Sequence, residues 1–208
     1  MQSADAATPR SSVIAAAVSA CSVLVLTSIR IGRSFGYDEG VTYHHFINGG
    51  SLQRALTTQV VFNNHPMFSA IQAVAWRVGL TGETPQRLGP AVAAAVTTGL
   101  VVWFVSRRVG VVGGAAAGVA LALNSMYLDQ ARQLRGYALA AFAVVVAALA
   151  VRESWHDPQR RWLVLQGAAM VVAVTTLSFS AVTIGALAIG ATVLGRVERR
   201  HLLTWPIS

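Results

Sequence analysis

Phe35-Gly36-Tyr37-Asp38-Glu39-Gly40-Val41-Thr42-Tyr43-His44-His45 follows directly on the first long apolar run of the chain. It sets two adjacent carboxylates, aromatic rings and two histidines just past the point where an apolar helix would leave a membrane. Charges that close to a bilayer are costly to hide, so they are as a rule solvated, paired or functional. The remainder of the chain reads as a membrane scaffold that presents Asp38 and Glu39 to a lipid-borne substrate.

Composition agrees. Of 208 residues, 54% are hydrophobic and only 12% charged, against about a quarter charged in soluble domains. Mean hydropathy is +0.56. The net charge is +8, but the basic residues are dispersed between apolar runs. That pattern suits loop charges that hold a topology, not a nucleic-acid groove. All 16 basic residues are arginine. Cys21 is alone, so it makes no disulfide within the chain and no metal cluster, and it reads as a small buried residue.

Residues 1–12 are small and polar and read as a disordered cytoplasmic tail. Arg10 before residues 13–31 resembles a signal peptide. The run is long for one and no small-residue cleavage pattern follows, so an uncleaved membrane helix is expected. Residues 32–87 form a long first outer loop. Within it, 51–60 suits a short surface helix, and Pro66 disfavours helix in His65 and suits a first helical turn. Phe68, Ile71, Val74, Ala75 and Val78 then mark one apolar helical face over 67–80, at a length that suits the membrane interface. Further spans are expected at 88–105, 109–123, 138–151, 162–179 and 181–194, with 196–208 as a cytoplasmic tail or a broken-off continuation. Gly114-x-x-x-Gly118 permits close helix approach. The fold expected is all-α: a polytopic bundle of about six transmembrane helices plus interfacial helices in the first outer loop.

Arginines then set the orientation. A cytoplasmic amino terminus puts Arg107, Arg108, Arg152, Arg160, Arg161, Arg196, Arg199 and Arg200 on the inside, as the positive-inside rule prefers. Both polar islands, 32–87 and 124–137, fall on the outer face.

In order along the chain come Tyr37-Asp38-Glu39, Asn64-His65-Pro66, Arg87-Leu88-Gly89-Pro90, Arg107-Arg108-Val109-Gly110 and Arg135-Gly136-Tyr137-Ala138-Leu139. Together these resemble the amino-terminal half of a GT-C membrane glycosyltransferase, in the branch of the protein O-mannosyltransferases and aminoarabinose transferases. The resemblance covers roughly residues 13–195. It implies sugar transfer from a polyprenyl-phosphate donor to a glycan, lipid or protein acceptor on the outer face of the plasma membrane. It implies Asp38 as the catalytic base, with Glu39 beside it. Members of the family are usually longer, so a further segment or partner chain is expected to complete the fold.

Transfer from such a donor needs a base for the acceptor hydroxyl and positive charge at the leaving phosphate. Asp38 or Glu39 can serve as base, and adjacent side chains seldom point the same way, so one is expected to be structural. Arg132 and Arg135 could bind the phosphate from one helix face. Asp129 could pair with Arg132. Tyr37 could stack on the sugar and His65 could hydrogen-bond the acceptor or cap a helix. No cofactor is demanded, although His44, His45 and His65 with the two carboxylates could hold a divalent cation. Rival readings are a non-catalytic remnant or partner subunit, and half a transporter.

Overall fold

Thr8 starts the first helix. Its hydroxyl oxygen accepts from the Ser11 N–H at 3.3 Å, and Pro9 follows in the first turn, where its missing N–H costs nothing. A computed structural model of the chain describes residues 8–58, 64–156 and 159–190. Their elements are α1 (Pro9–Ser28), α2 (Tyr37–Thr42), a π-helical turn (Tyr43–Ile47), α3 (Leu52–Thr57), α4 (Pro66–Arg77), α5 (Glu83–Val109), α6 (Val111–Leu123), α7 (Ser125–Arg132), α8 (Tyr137–His156), α9 (Arg160–Thr176) and α10 (Ser180–Gly190). Among the described residues there is no strand. The expected tail at 196–208, and the ends of the segments expected at 1–12, 51–60 and 181–194, lie outside the described residues.

Three helices, α1, α5 and α8, are long and apolar enough to cross a membrane. Their bare surfaces say what surrounds them. Val18 and Val25 on α1 are exposed by 61% and 62%, an arrangement that favours hydrocarbon over water outside. Cys21, expected to be buried, is exposed on the same helix. The expected span at 109–123 forms as the 13-residue α6, too short to cross alone. α6 and α7 meet at Asn124 and bend by 64°. Asn124 leaves helical geometry at ψ 103°, and its side-chain oxygen caps α7 by accepting from the Tyr127 N–H at 3.0 Å. Counted as one, the bent pair makes a fourth span. Over the expected spans at 162–179 and 181–194 lie the 17-residue α9 and the shorter α10, neither of which is among the helices long and apolar enough to cross a membrane.

α1, α5 and α6 pack as one group, and α8 and α9 form a pair joined to it through α5. Small residues set the spacing. A Cβ on Gly114 would run into Ser106 Oγ and lie 2.9 Å from the Val102 carbonyl oxygen, and one on Gly118 would lie 3.0 Å from Ser19 Cβ. The Gly114–Gly118 pair therefore lets α6 close on α5 and α1. Gly114→Ala is expected to cost about 1–3 kcal/mol by overpacking, read as a lower melting temperature of the detergent-solubilised chain.

α4 forms where expected, with most of its apolar stripe exposed. Phe68, Ser69, Gln72 and Ala73 are buried, while Ile71, Val74 and Val78 are exposed by 46%, 47% and 72%. Phe68 leaves the stripe for the interior, which α4 shares between apolar residues and polar contacts. Gln72 Nε2 donates to the Gln86 carbonyl at 3.0 Å, and Ser69 Oγ donates to Asn64 Oδ1 at 3.0 Å. A greasy outer face on a short helix beside membrane spans suits the lipid interface.

Candidate functional site

Glu39 organises the end of the bundle where the segment between α1 and α5 lies. Its Oε2 accepts from the Gly36 N–H at 3.0 Å, so the side chain caps the helix it belongs to. Arg87, one turn into α5, grips the same carboxylate with both arms of its fork, Nε to Oε1 at 2.8 Å and Nη2 to Oε2 at 2.8 Å. The Leu134 N–H donates to Oε1 at 2.7 Å. Both side chains are enclosed, Arg87 fully. Arg87 also donates to the carbonyls of Ile31 at 2.9 Å, Ser34 at 3.2 Å, and Arg33, and its guanidinium sits 4.9 Å from the centre of the Phe35 ring. Burial alone would push the Glu39 carboxyl up. The Arg87 fork and the Gly36 and Leu134 N–H groups outweigh it and hold the group below its ordinary value of 4.5.

Asp38, next along α2, points the other way. Its side chain is 62% exposed, and Oδ2 lies 3.3 Å from Arg135 Nη1. The two polar islands thus meet in an ion pair across 97 residues of chain, counted as 135 − 38. Asp38 also lines an open cavity of about 590 Å³, with Tyr37, Ser34, Arg33 and Gln133 on its wall.

Arg135 is itself held in place. α7 ends at Arg132, and Gln133 is extended at ψ 144°, so Arg135 occupies the break before α8. Its Nε donates to His65 Nε2 at 3.2 Å and its Nη2 donates to the Tyr137 hydroxyl at 3.1 Å. His65 precedes Pro66 and takes a non-helical φ of −114°, as residues before proline do. Its Nδ1 lies 2.8 Å from the Thr176 carbonyl at the end of α9. A carbonyl can only accept, so Nδ1 carries the proton and Nε2 offers its lone pair to Arg135. The imidazole is therefore neutral. Gly136 makes room for this: a Cβ there would lie 2.6 Å from Thr176 Cγ2 and 3.0 Å from His65 Cβ. Beneath the site, Ile47, Phe68 and Leu134 form a buried apolar floor.

Burial lowers the His65 pKa from its ordinary 6.5. The Thr176 carbonyl works against this and the Arg135 charge adds to it. A lowered histidine stays neutral in the fold while the unfolded chain takes up a proton, so stability falls as pH drops below about 6.5. Glu39, also lowered, adds loss in the same direction below about 4.5. Melting temperature is expected to decline from pH 7 to pH 5, and His65→Gln is expected to flatten that decline. A slope unchanged in the variant would remove His65 as its source.

Of the residues expected at the site, Asp38, Glu39, His65 and Arg135 converge, while Tyr37 lies on the cavity wall and is 88% exposed. Arg132 does not share a face with Arg135, because the helix stops between them. It donates to the Leu26 carbonyl at 2.8 Å and to Asp129 at 3.4 Å, tying α7 to α1. The Asp129–Arg132 pair was expected. His44 and His45 are exposed, and among the described residues no three of His, Cys, Asp and Glu come together as a metal site. Sequence reading missed Arg87 and Tyr137 as site residues. Arg87 carried little local signal, because it follows the polar Glu83-Thr84-Pro85-Gln86 at the edge of the apolar run, where an interface anchor is ordinary. Compared with protein-family models, characterised proteins and solved structures, the chain has no match in any of the three.

Proposed function

We propose that the chain is a membrane glycosyltransferase, or the amino-terminal part of one, that moves a sugar from a polyprenyl-phosphate donor to an acceptor on the outer membrane face. The bundle would have about six spans and a cytoplasmic amino terminus in the plasma membrane. The observation that carries the reading is the exposed Asp38 carboxylate, 3.3 Å from an Arg135 that His65 and Tyr137 hold from behind. This pairs a base on the cavity wall with a fixed positive charge behind it. Asp38 takes the proton of the acceptor hydroxyl as its oxygen bonds to the sugar's anomeric carbon. The bond from that carbon to the phosphate oxygen breaks, and polyprenyl phosphate leaves with the electron pair. Arg135 stabilises the charge that grows on the phosphate. Glu39 is spent on Arg87 and two backbone N–H groups, so the base role falls to Asp38 alone. The orientation is supported by Arg107, Arg108, Arg152, Arg160 and Arg161, which lie at the far ends of α5, α8 and α9, as the positive-inside rule favours.

The test supplies purified chain with radiolabelled polyprenyl-phosphate mannose or arabinose and follows label out of the lipid phase. Release that depends on the chain is expected. Release only after a second polypeptide is added would make this chain a partner subunit. Neither release nor donor binding under any condition would overturn the proposal.

A further inference from the structure

A second cavity, of about 540 Å³, opens between α5, α8 and α9. Along α5 its Arg107 lies about twenty residues from Arg87, or about 30 Å at 1.5 Å per residue, close to the thickness of the hydrocarbon core. The transfer chemistry proposed above does not use it.

Its lining divides in two. Val146, Leu149 and Leu165 give an apolar wall, and Arg107, Arg108 and Arg152 give positive charge against the single carboxylate of Glu153. Glu153 is paired with Arg152. Arg108 and Arg152 both approach the Phe104 ring, at 5.6 Å and 5.3 Å. The ring attracts each guanidinium but neutralises neither. The indole Nε1–H of Trp162, also on the lining, is enclosed and has no hydrogen-bond partner, and a buried donor of that kind calls for an acceptor. The cavity thus offers surplus cations and a spare donor next to hydrocarbon-like walls. We propose that it binds the phosphate headgroup of an anionic membrane lipid, with an acyl chain laid against Val146, Leu149 and Leu165. The positive-inside orientation would place it at the leaflet where anionic lipids set the surface potential.

Native mass spectrometry of the detergent-purified full chain tests this with three probes: phosphatidylglycerol, phosphatidylcholine and inorganic phosphate. Phosphatidylglycerol is expected to be retained about ten-fold more than phosphatidylcholine, as one or two cationic contacts would give. R108Q/R152Q is expected to bring the two lipids level. Arg108→Gln alone, at an exposed position that leaves the Arg152–Glu153 pair intact, reads the same loss should the double variant fail to fold. E153Q is expected to hold phosphatidylglycerol at least as well as the parent. Equal retention of both lipids, an unchanged preference in Arg108→Gln, or displacement of phosphatidylglycerol by equimolar inorganic phosphate would each overturn the assignment.

Discussion

Arg87→Met is expected to destabilise the chain by about 3–5 kcal/mol, the usual cost of stripping one partner from a buried ion pair. Glu39 would be left enclosed with only the Gly36 and Leu134 N–H groups, and the carbonyls of Ile31, Arg33 and Ser34 would lose their shared donor. Against a total stability on the order of 5–15 kcal/mol, that is enough to release the segment between α1 and α5 from the bundle. Arg87→Lys is expected to recover little, because an ammonium cannot fork across a carboxylate and reach three carbonyls behind it. Adding Glu39→Gln to Arg87→Met is expected to restore part of the loss, since the stranded charge goes with it. Thermal unfolding in detergent, arranged as a double-mutant cycle, reads all four states. A single Arg87→Met variant within about 0.5 kcal/mol of the parent would show that the pair is not what holds the loop.

Asp38→Asn is expected to do the opposite: keep the fold and lose the chemistry. Its carboxylate is mostly exposed, and an ion pair of that exposure contributes about 0–1 kcal/mol, so the melting temperature should move little. Removing a general base typically costs about 10²–10⁴ in rate. Initial rates of sugar release, compared with donor KM, separate a lost base from a lost binding contact. Glu39→Gln provides the contrast, because it should lose activity only in step with lost folded protein. Asp38→Asn turning over at more than about a tenth of the parental rate would remove Asp38 as the base.

Part of this was legible in the chain because membrane segments obey a simple length rule. The runs around residues 20, 95 and 145 are apolar over about the distance a bilayer demands, and α1, α5 and α8 form there. Counting crossings brought the two polar islands to one side, but the ion pair of Asp38 with Arg135 was not among the expectations. What stayed hidden lay in long-range polar contacts. Nothing local links Glu39 to Arg87, 48 residues on. The break after Arg132 has no proline, and its glycine, Gly136, comes four residues late, so the i,i+3 spacing of Arg132 and Arg135 looked like one face. α4 was expected at the membrane interface, which an exposed apolar stripe suits. Its stripe faces outward, where a bilayer would reward the same residues.

The Glu39 hub also bears on how such a chain is made. Two of its four donors come from Arg87, 48 residues later, and a third from the Leu134 backbone, 95 residues later. A ribosome delivering the polypeptide from its amino end would release the acidic loop long before its last clasp exists. Until residue 134 has been synthesised, that loop must wait hydrated at the membrane surface, and it locks only as α8 begins to insert.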